Sequence, residues 1–236
     1  KIDKPEELKV VDPACGSGHM LAYAFDLLYA IYAEEGYAPA EIPGLILTNN
    51  LSGIEIDSRA GALAAFALTM KARGRQRTFF AKPVEPQVCV LESIHFTPRE
   101  LDDLVSSPED REEEIAFWNQ FHDAKLVGSL IAPRRGLGER LRCHLEAKVS
   151  PTLDLLTDDV LHRAHGVLTQ AEYLCSGYVV VVTNPPYMGG RNMDSTLSAW
   201  LGQHYPDTKT DLFAAFIRRC AELGANGAFI GIMSPN

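Results

Sequence analysis

Strand-like and helix-like segments alternate along the first ninety residues, and this alternation limits the chain to a small set of folds. Apolar runs typical of strands cover 9–11, 51–56 and 87–91, apolar residues at helical spacing cover 19–35 and 58–73, and 38–50 is loop-like. Strands that are separated by helices usually pair in parallel through right-handed crossovers. The sequence therefore predicts an α/β fold with a doubly wound, mostly parallel sheet.

The alternation is interrupted between residues 97 and 176. This stretch is polar and mostly helical in pattern, and its acidic run at Glu112–Glu114 predicts a solvated helix face. A loop of that length without secondary structure is unusual, so we predict a helical insertion. The strand pattern returns in the continuous apolar run Tyr178–Val182 and again over 228–233. We expect three parts, which are 1–96, 97–176 and 177–236.

Composition and charge exclude several classes of protein. The 236 residues are 46% hydrophobic, and no apolar run reaches the ~18 residues of a membrane helix. The five cysteines are scattered and never form a C-x-x-C pair, which predicts reduced thiols, no metal site and a cytoplasmic protein. A net charge of −9 is unfavourable for gripping nucleic acid unaided. Two basic groups are expected to be structural: Lys71, Arg73, Arg75 and Arg77, and Arg134, Arg135, Arg140 and Arg142.

The segment after the first strand has the composition of a ligand-binding turn. It consists of Asp12, Pro13, Ala14, Cys15, Gly16, Ser17 and Gly18. Two glycines let the backbone turn sharply and approach a ligand, and the N-terminus of the next helix offers N–H groups to an anion. Open α/β sheets bind ligands at this carboxyl edge. An ordinary tight turn is the alternative, since a G-x-G pattern alone is weak evidence.

Neighbouring residues narrow the choice of ligand. Leu21 stands where the dinucleotide fingerprint has its third glycine, and Glu55 follows Gly16 by 39 residues instead of about 20. No lysine follows the glycines, which argues against a P-loop. Acidic residues at the ends of the first two strands suit S-adenosylmethionine, with its ammonium near Asp12 and its ribose on Glu55. Asp57 is predicted to cap the following helix.

The sharpest signal is the tetrapeptide Asn184-Pro185-Pro186-Tyr187, directly after a buried strand. Two prolines fix the backbone and remove two N–H donors, so the segment is rigid and presents carbonyl oxygens. Asn184 and Tyr187 are expected to project at the carboxyl edge of the sheet, beside the glycine turn.

Three motifs carry a resemblance to a known family: Asp12–Gly18, Gly53–Asp57 and Asn184–Tyr187. In this order they resemble the amino-group DNA methyltransferases of the N6-adenine type. Tyr187–Gly190 and 211–213 are most similar to the adenine methyltransferases of bacterial BREX phage-defence systems. The resemblance, over 9–95 and 178–236, implies a Rossmann-like class I fold with strand order 3-2-1-4-5-7-6. It also implies S-adenosylmethionine as cofactor and the exocyclic N6 of adenine in DNA as methyl acceptor.

The resemblance also implies roles for individual residues. The Asn184 side-chain oxygen and the Pro185 carbonyl accept hydrogen bonds from the target amine and free its lone pair for attack on the sulfonium methyl. Tyr187 stacks on the extruded base. Ile56 packs on the cofactor adenine and Glu92 contacts its amino group. The implied cofactor contacts are Asp12, Pro13, Ala14, Cys15, Gly16, Gly18, Glu55, Ile56, Glu92, Asn184 and Phe213.

Family members have a helical segment before the first motif, and further strands and a target-recognition domain after the last. We therefore expect this chain to be the core of a larger enzyme, which binds double-stranded DNA through the missing domain and works with phage-defence proteins, away from membranes. Alone, it is expected to methylate DNA poorly and to self-associate through an exposed last strand.

Three alternatives stay open. Protein glutamine-amide methyltransferases share the Asn-Pro-Pro-Tyr motif, although the insertion and Met188–Gly190 argue against that family. Cytosine N4 methylation is less favoured, because that group usually begins its tetrapeptide with Ser. The third alternative is a module that binds S-adenosylmethionine and is inactive as an isolated fragment.

Overall fold

The computed structural model describes residues 2–148, 155–175, 177–190 and 193–234. The chain divides into two compact units. The first combines Lys1–Val90 with Gly177–Asn236, and the second is Leu91–Ser176. Within the described ranges, no helix is long and apolar enough to cross a membrane.

The first unit is built on a five-stranded parallel sheet. Its strands are β1 (Val10–Asp12), β2 (Leu51–Glu55), β3 (Gln87–Val90), β4 (Tyr178–Thr183) and β5 (Gly224–Ile232). Their order is β3-β2-β1-β4-β5 and every pairing is parallel. The predicted doubly wound α/β fold is confirmed, and the order of these strands agrees with the resemblance.

Helices follow the strands of the first unit. They are α1 (His19–Glu34), α2 (Ile42–Leu45), α3 (Ser58–Arg75), α9 (Ser195–His204) and α10 (Leu212–Leu223), with the numbers between belonging to the second unit. The buried face of α1 carries Leu21, Phe25, Leu28 and Tyr32 at helical spacing. These side chains join a core cluster with Ile46, Leu51 and Leu68. One apolar stripe thus fixes α1 over the sheet, with its N-terminus at the end of β1.

The predicted loop over 38–50 is wrong for its second half. There the chain forms α2 and then a π-helical turn, Ile46–Asn50. Ile42 and Leu47 are fully buried, and Asn50 accepts the Tyr32 hydroxyl at 2.9 Å and donates to the Pro5 carbonyl at 2.7 Å. Burial of the apolar side chains, together with these hydrogen bonds, outweighs the local preference of a Pro- and Gly-containing segment.

The second unit is helical. Its helices are α4 (Pro98–Leu104), α5 (Arg111–Asn119), α6 (Ala124–Val127), α7 (Leu137–Lys148) and α8 (Leu155–Cys175). Trp118 and Phe121 are fully buried in its core, as their spacing predicts, and Phe117 packs edge-on against both rings.

Glu114 corrects the prediction of a solvated acidic face over 112–114. Its side chain is fully buried, whereas Glu112 is exposed. The carboxylate accepts the Ser106 N–H at 2.6 Å and the Ser106 hydroxyl, and it pairs with Arg140 at 3.1 Å. A buried charge persists only when it is paired and hydrogen-bonded in this way. Glu114 therefore links the loop after α4 and helix α7 to α5.

Glu114→Ala is expected to destabilise the second unit by about 3 kcal/mol, because it leaves the Ser106 N–H and one side of Arg140 without their acceptor. Glu114→Gln keeps the shape and one acceptor, and should cost only about 1 kcal/mol. Amide hydrogen exchange in α5 and α7 measures both effects. Equal protection in the Ala and Gln variants would mean that neither side-chain packing nor a retained acceptor at this position contributes to stability.

Strand β5 is poorly covered for a strand of a doubly wound sheet. Phe229 is 74% exposed and Ile230 44% exposed, and β4 is the only described strand that pairs with it. An uncharged edge of this kind is a template for pairing with another strand. Self-association through this edge stays a prediction.

Candidate active site

The turn between β1 and α1 has a backbone that requires glycine. Gly16 and Gly18 have φ angles of 53° and 82°, in the left-handed region. A Cβ on Gly18 would lie 2.9 Å from the Ala64 Cα, so α3 approaches too closely for any side chain. The Ala14 N–H donates to the Asp12 carboxylate at 3.1 Å, and the Gly18 N–H donates to the Cys15 carbonyl at 2.8 Å. These bonds hold the turn in one compact shape.

The same turn is attached to the end of β2. The Cys15 N–H donates to the Ile54 carbonyl at 3.0 Å, and the Gly16 N–H donates to Glu55 Oε2 at 2.8 Å. Glu55 Oε1 accepts the N–H groups of Ile56 and Asp57 at 2.8 and 3.0 Å. Three backbone donors therefore fix the Glu55 carboxylate at the edge of the turn. The sequence connected the glycine turn with Glu55 only through a shared ligand. In the structure, hydrogen bonds connect the two directly.

Asp12 is the most perturbed carboxyl of the site. It is 2% exposed, and burial together with the nearby Glu55 raises its pKa from 3.8 to about 6. The Ala14 N–H and the Thr183 hydroxyl partly offset this shift in pKa. The Thr183 hydroxyl is buried and lies close to Asp12, although its geometry falls short of a regular hydrogen bond. A buried carboxylate is stabilised in its charged form by a cation beside it.

The N-terminus of α1 lacks a side-chain cap. Gly18 occupies the cap position and has no side chain to accept the N–H groups of the first turn. Such a terminus favours an anion through its N–H groups and the helix dipole. By contrast, α3 is capped by Asp57, which accepts the Arg59 N–H at 2.8 Å, as predicted. Burial raises the pKa of the Cys15 thiol well above its usual range, so Cys15 is a neutral packing residue.

The tetrapeptide after β4 has one buried residue and three exposed ones. Pro185 is buried, whereas Asn184, Pro186 and Tyr187 are exposed. The segment then turns back onto the start of α10, because the Leu212 N–H donates to the Met188 carbonyl at 3.1 Å. The rigid Pro-Pro pair and this return contact leave Asn184 and Tyr187 projecting from a fixed backbone.

Tyr187 makes contacts that the sequence did not indicate. Its hydroxyl lies 2.6 Å from Asn184 Oδ1 and 2.9 Å from the Met233 carbonyl, just after β5. Its ring lies 5.8 Å from that of Phe213, centroid to centroid, at 40°. Asp211 places Phe213 by accepting its N–H at 3.0 Å at the start of α10. Met233 is 46 residues from Tyr187, so no local pattern could have revealed this bond.

Sheet pairing brings the two motifs together. Val11 of β1 pairs with Val181 of β4, so the strands end side by side. Asp12 consequently lies next to Thr183, the residue before Asn184. Among the predicted site residues, the turn, Glu55, Ile56, the tetrapeptide and Phe213 all belong to the first unit. Glu92 belongs to the second unit, where its carboxylate pairs with Lys125.

Several of these basic residues form ion pairs with carboxylates of their own unit. In the first unit, Lys71 and Arg75 both pair with Asp26. In the second, the pairs are Arg134 with Glu113, Arg140 with Asp110 and Glu114, and Arg142 with Glu172.

The sequence is similar to known methylases. Residues 49–236 match the family described as Eco57I restriction-modification methylase. The chain is 32% identical to the adenine-specific methyltransferase BrxX of Escherichia coli O9:H4 (strain HS), over 96% of this chain and 21% of that protein. It is 37% identical to the adenine-specific methyltransferase PglX of Lacticaseibacillus casei (strain Zhang), over 95% and 19% respectively. The chain thus spans about a fifth of the length of these relatives. It belongs to the Eco57I restriction-modification methylase family.

Proposed function

We propose that this chain is the methyl-transferring part of an enzyme that methylates the exocyclic N6 of adenine in DNA, with S-adenosylmethionine as the donor. One observation carries the proposal. The β1 turn, with an uncapped helix N-terminus and the buried Asp12 carboxyl, lies directly beside the rigid Asn-Pro-Pro-Tyr segment, because β1 pairs with β4. The two adenine-specific relatives contain the same region of sequence. We further propose that the enzyme acts in the cytoplasm, as part of phage defence and together with partner proteins.

The first-unit residues fit the cofactor group by group. The uncapped N-terminus of α1 suits a carboxylate, and the buried Asp12 carboxyl suits an ammonium. The Glu55 carboxylate is held by backbone donors and suits a ribose diol. Ile56 is 42% exposed beside it and offers an apolar surface to a purine. When bound, S-adenosylmethionine supplies an electrophilic methyl group on its sulfonium.

The tetrapeptide supplies the hydrogen-bond acceptors that a poor nucleophile needs. An exocyclic amine conjugated with a purine carries two N–H groups and a delocalised lone pair. Asn184 Oδ1 and the Pro185 carbonyl accept these N–H groups and hold the nitrogen toward the methyl donor. The bound cofactor would supply the methyl group to this nitrogen and leave as the neutral thioether, and the excess proton of the amine would pass to solvent. This is catalysis by orientation and local electrostatics.

Glu55→Ala is expected to weaken S-adenosylmethionine binding by about 1.5–3 kcal/mol, because it removes a charge-assisted acceptor. Glu55→Gln keeps one acceptor for the Gly16 N–H and should show a smaller loss. Titration calorimetry on both variants measures the affinities, and thermal unfolding shows whether the turn itself is loosened. Unchanged affinity in Glu55→Ala would refute this cofactor site.

The proposed function is tested in the source organism, where the protein exists at its natural length. The gene is deleted, and N6-methyladenine is mapped across the genome by single-molecule sequencing. Loss of N6-methyladenine from a defined sequence motif, restored by the wild-type gene, supports the proposal. An unchanged adenine methylome refutes it, and loss of a methylated glutamine from a protein would identify the glutamine-amide alternative instead.

A further inference from the structure

At the carboxyl edge of the sheet, two oxygen atoms lie within hydrogen-bond distance of the Tyr187 hydroxyl. The Tyr187 hydroxyl lies 2.6 Å from Asn184 Oδ1 and 2.9 Å from the Met233 carbonyl. A phenol has a single O–H, so it donates to one of these oxygens at a time. Both distances are within the range of O–H···O hydrogen bonds. The hydroxyl can therefore move its hydrogen bond from one acceptor to the other with little motion of the ring.

The pairing of β4 with β5 fixes the position of the Met233 carbonyl. Thr183 of β4 pairs with Ile232 of β5, and the Met233 N–H donates to the Thr183 carbonyl at 3.0 Å. The Met233 carbonyl is thus held at the end of β5, one strand away from Asn184. Phe213 packs against the Tyr187 ring and restrains it from a third direction. The hydroxyl is consequently better fixed than an exposed side chain would be by itself.

The hydrogen bond from the Tyr187 hydroxyl restricts the rotamers of the Asn184 side chain. It is exposed, and an exposed amide samples several rotamers unless a partner holds it. A hydrogen bond from a fixed phenol selects one rotamer before the base arrives. An oxygen of an amide carries two lone pairs, so Oδ1 can accept an amine while the phenol remains nearby or turns to Met233.

We infer that the Tyr187 hydroxyl is a positioning group for the reaction, which holds Asn184 Oδ1 in place for the target amine and turns to the Met233 carbonyl when the amine binds. This inference rests on the proposed function. It assigns to the hydroxyl a task separate from stacking, which the ring alone performs. It also predicts that phenylalanine at this position supports base binding without full turnover.

The first test separates the hydroxyl from the ring. Tyr187→Phe is introduced on the chromosome, and the native protein is purified and assayed on genomic DNA from the deletion strain. We expect kcat to fall about 10- to 100-fold, since a small misplacement of a reacting group has effects of this size. The KM for DNA and the Kd for S-adenosylmethionine should stay within about twofold of the wild type, because the ring is kept. Tyr37→Phe, which removes a hydroxyl bonded to Glu6, is the matched control.

The second test uses a readout that a purely structural role would not move. A fluorinated tyrosine at position 187 restores the hydroxyl but ionises at lower pH, and a phenolate cannot donate a hydrogen bond. We expect the ratio of its kcat to the wild-type kcat, measured at each pH, to be near one at low pH and to fall as the phenol of the fluorinated residue ionises. A Tyr187→Phe kcat equal to the wild type, or a loss confined to KM, would overturn the inference. A wild-type protein that transfers no methyl to DNA would instead overturn the proposed function.

Discussion

Asn184→Ala on the chromosome is expected to abolish N6-methyladenine formation while the protein keeps its affinity for S-adenosylmethionine. In the proposed mechanism Asn184 supplies the side-chain acceptor for the target amine, and the proposed cofactor contacts Asp12 and Glu55 lie at the ends of other strands. Loss of one preorganised electrostatic partner of a reacting group costs about 10²–10³ in kcat. The Tyr187 hydroxyl would also lose one of its two acceptors. Single-molecule sequencing and calorimetry give the two readouts.

A control variant makes this result specific. Gln203→Ala removes an exposed amide on α9, and we expect it to leave methylation unchanged. If Asn184→Ala lost cofactor affinity as severely as turnover, the division of roles between the two motifs would be wrong.

Asp12→Asn is expected to stabilise the ligand-free protein and to weaken cofactor binding. Burial favours the protonated form of Asp12 in the folded state, with a pKa of about 6 against an ordinary 3.8. The stability from this protonated carboxyl is complete below about pH 4 and is lost as pH rises through 6. At pH 7.5 the ionised group therefore destabilises the fold by an amount on the order of 2–3 kcal/mol, which asparagine avoids.

The stability of both proteins is measured by urea unfolding between pH 4 and pH 8. We expect the advantage of Asp12→Asn to be small near pH 4 and to grow through pH 6. Binding of S-adenosylmethionine at pH 7.5 should weaken about 10- to 100-fold, since the ammonium loses a charge-assisted partner. Asp207→Asn makes the same chemical change at an exposed position and should alter neither quantity. A pH-independent difference would show that Asp12 titrates normally.

The sequence was most informative where local rules decide the structure. Alternating strand and helix periods predicted β1 to β4 together with helices α1 and α3, and the glycine pair marked the turn before α1 correctly. Gly16 and Gly18 adopt positive φ angles, which other residues reach only at a cost. Asn184–Tyr187 follows a buried strand as expected. These features depend on neighbours within a few residues.

What the sequence did not reveal depends on distant partners. Glu114 lies in an acidic run, yet Arg140 and Ser106 make a buried position for it. Ile42 and Leu47 follow Pro39 in a stretch that resembles a loop, yet both side chains are fully buried in the core. Likewise, Glu55 contacts Gly16 and Tyr187 contacts Met233 across 39 and 46 residues. Burial overrode local preference in the first two cases, and long-range hydrogen bonds made the contacts in the last two.

The pairing of β1 with β4 has a consequence for how this protein is made. Val11 and Val181 are partners, yet the ribosome adds Val181 170 residues after Val11. At roughly 5–20 residues per second, β1 waits about 10–30 seconds for the neighbour that completes its side of the sheet. Until then its unpaired edge is open to wrong strands. Slow translation through 91–176 would lengthen this exposure, so the yield of active protein should depend on codon choice in the insertion.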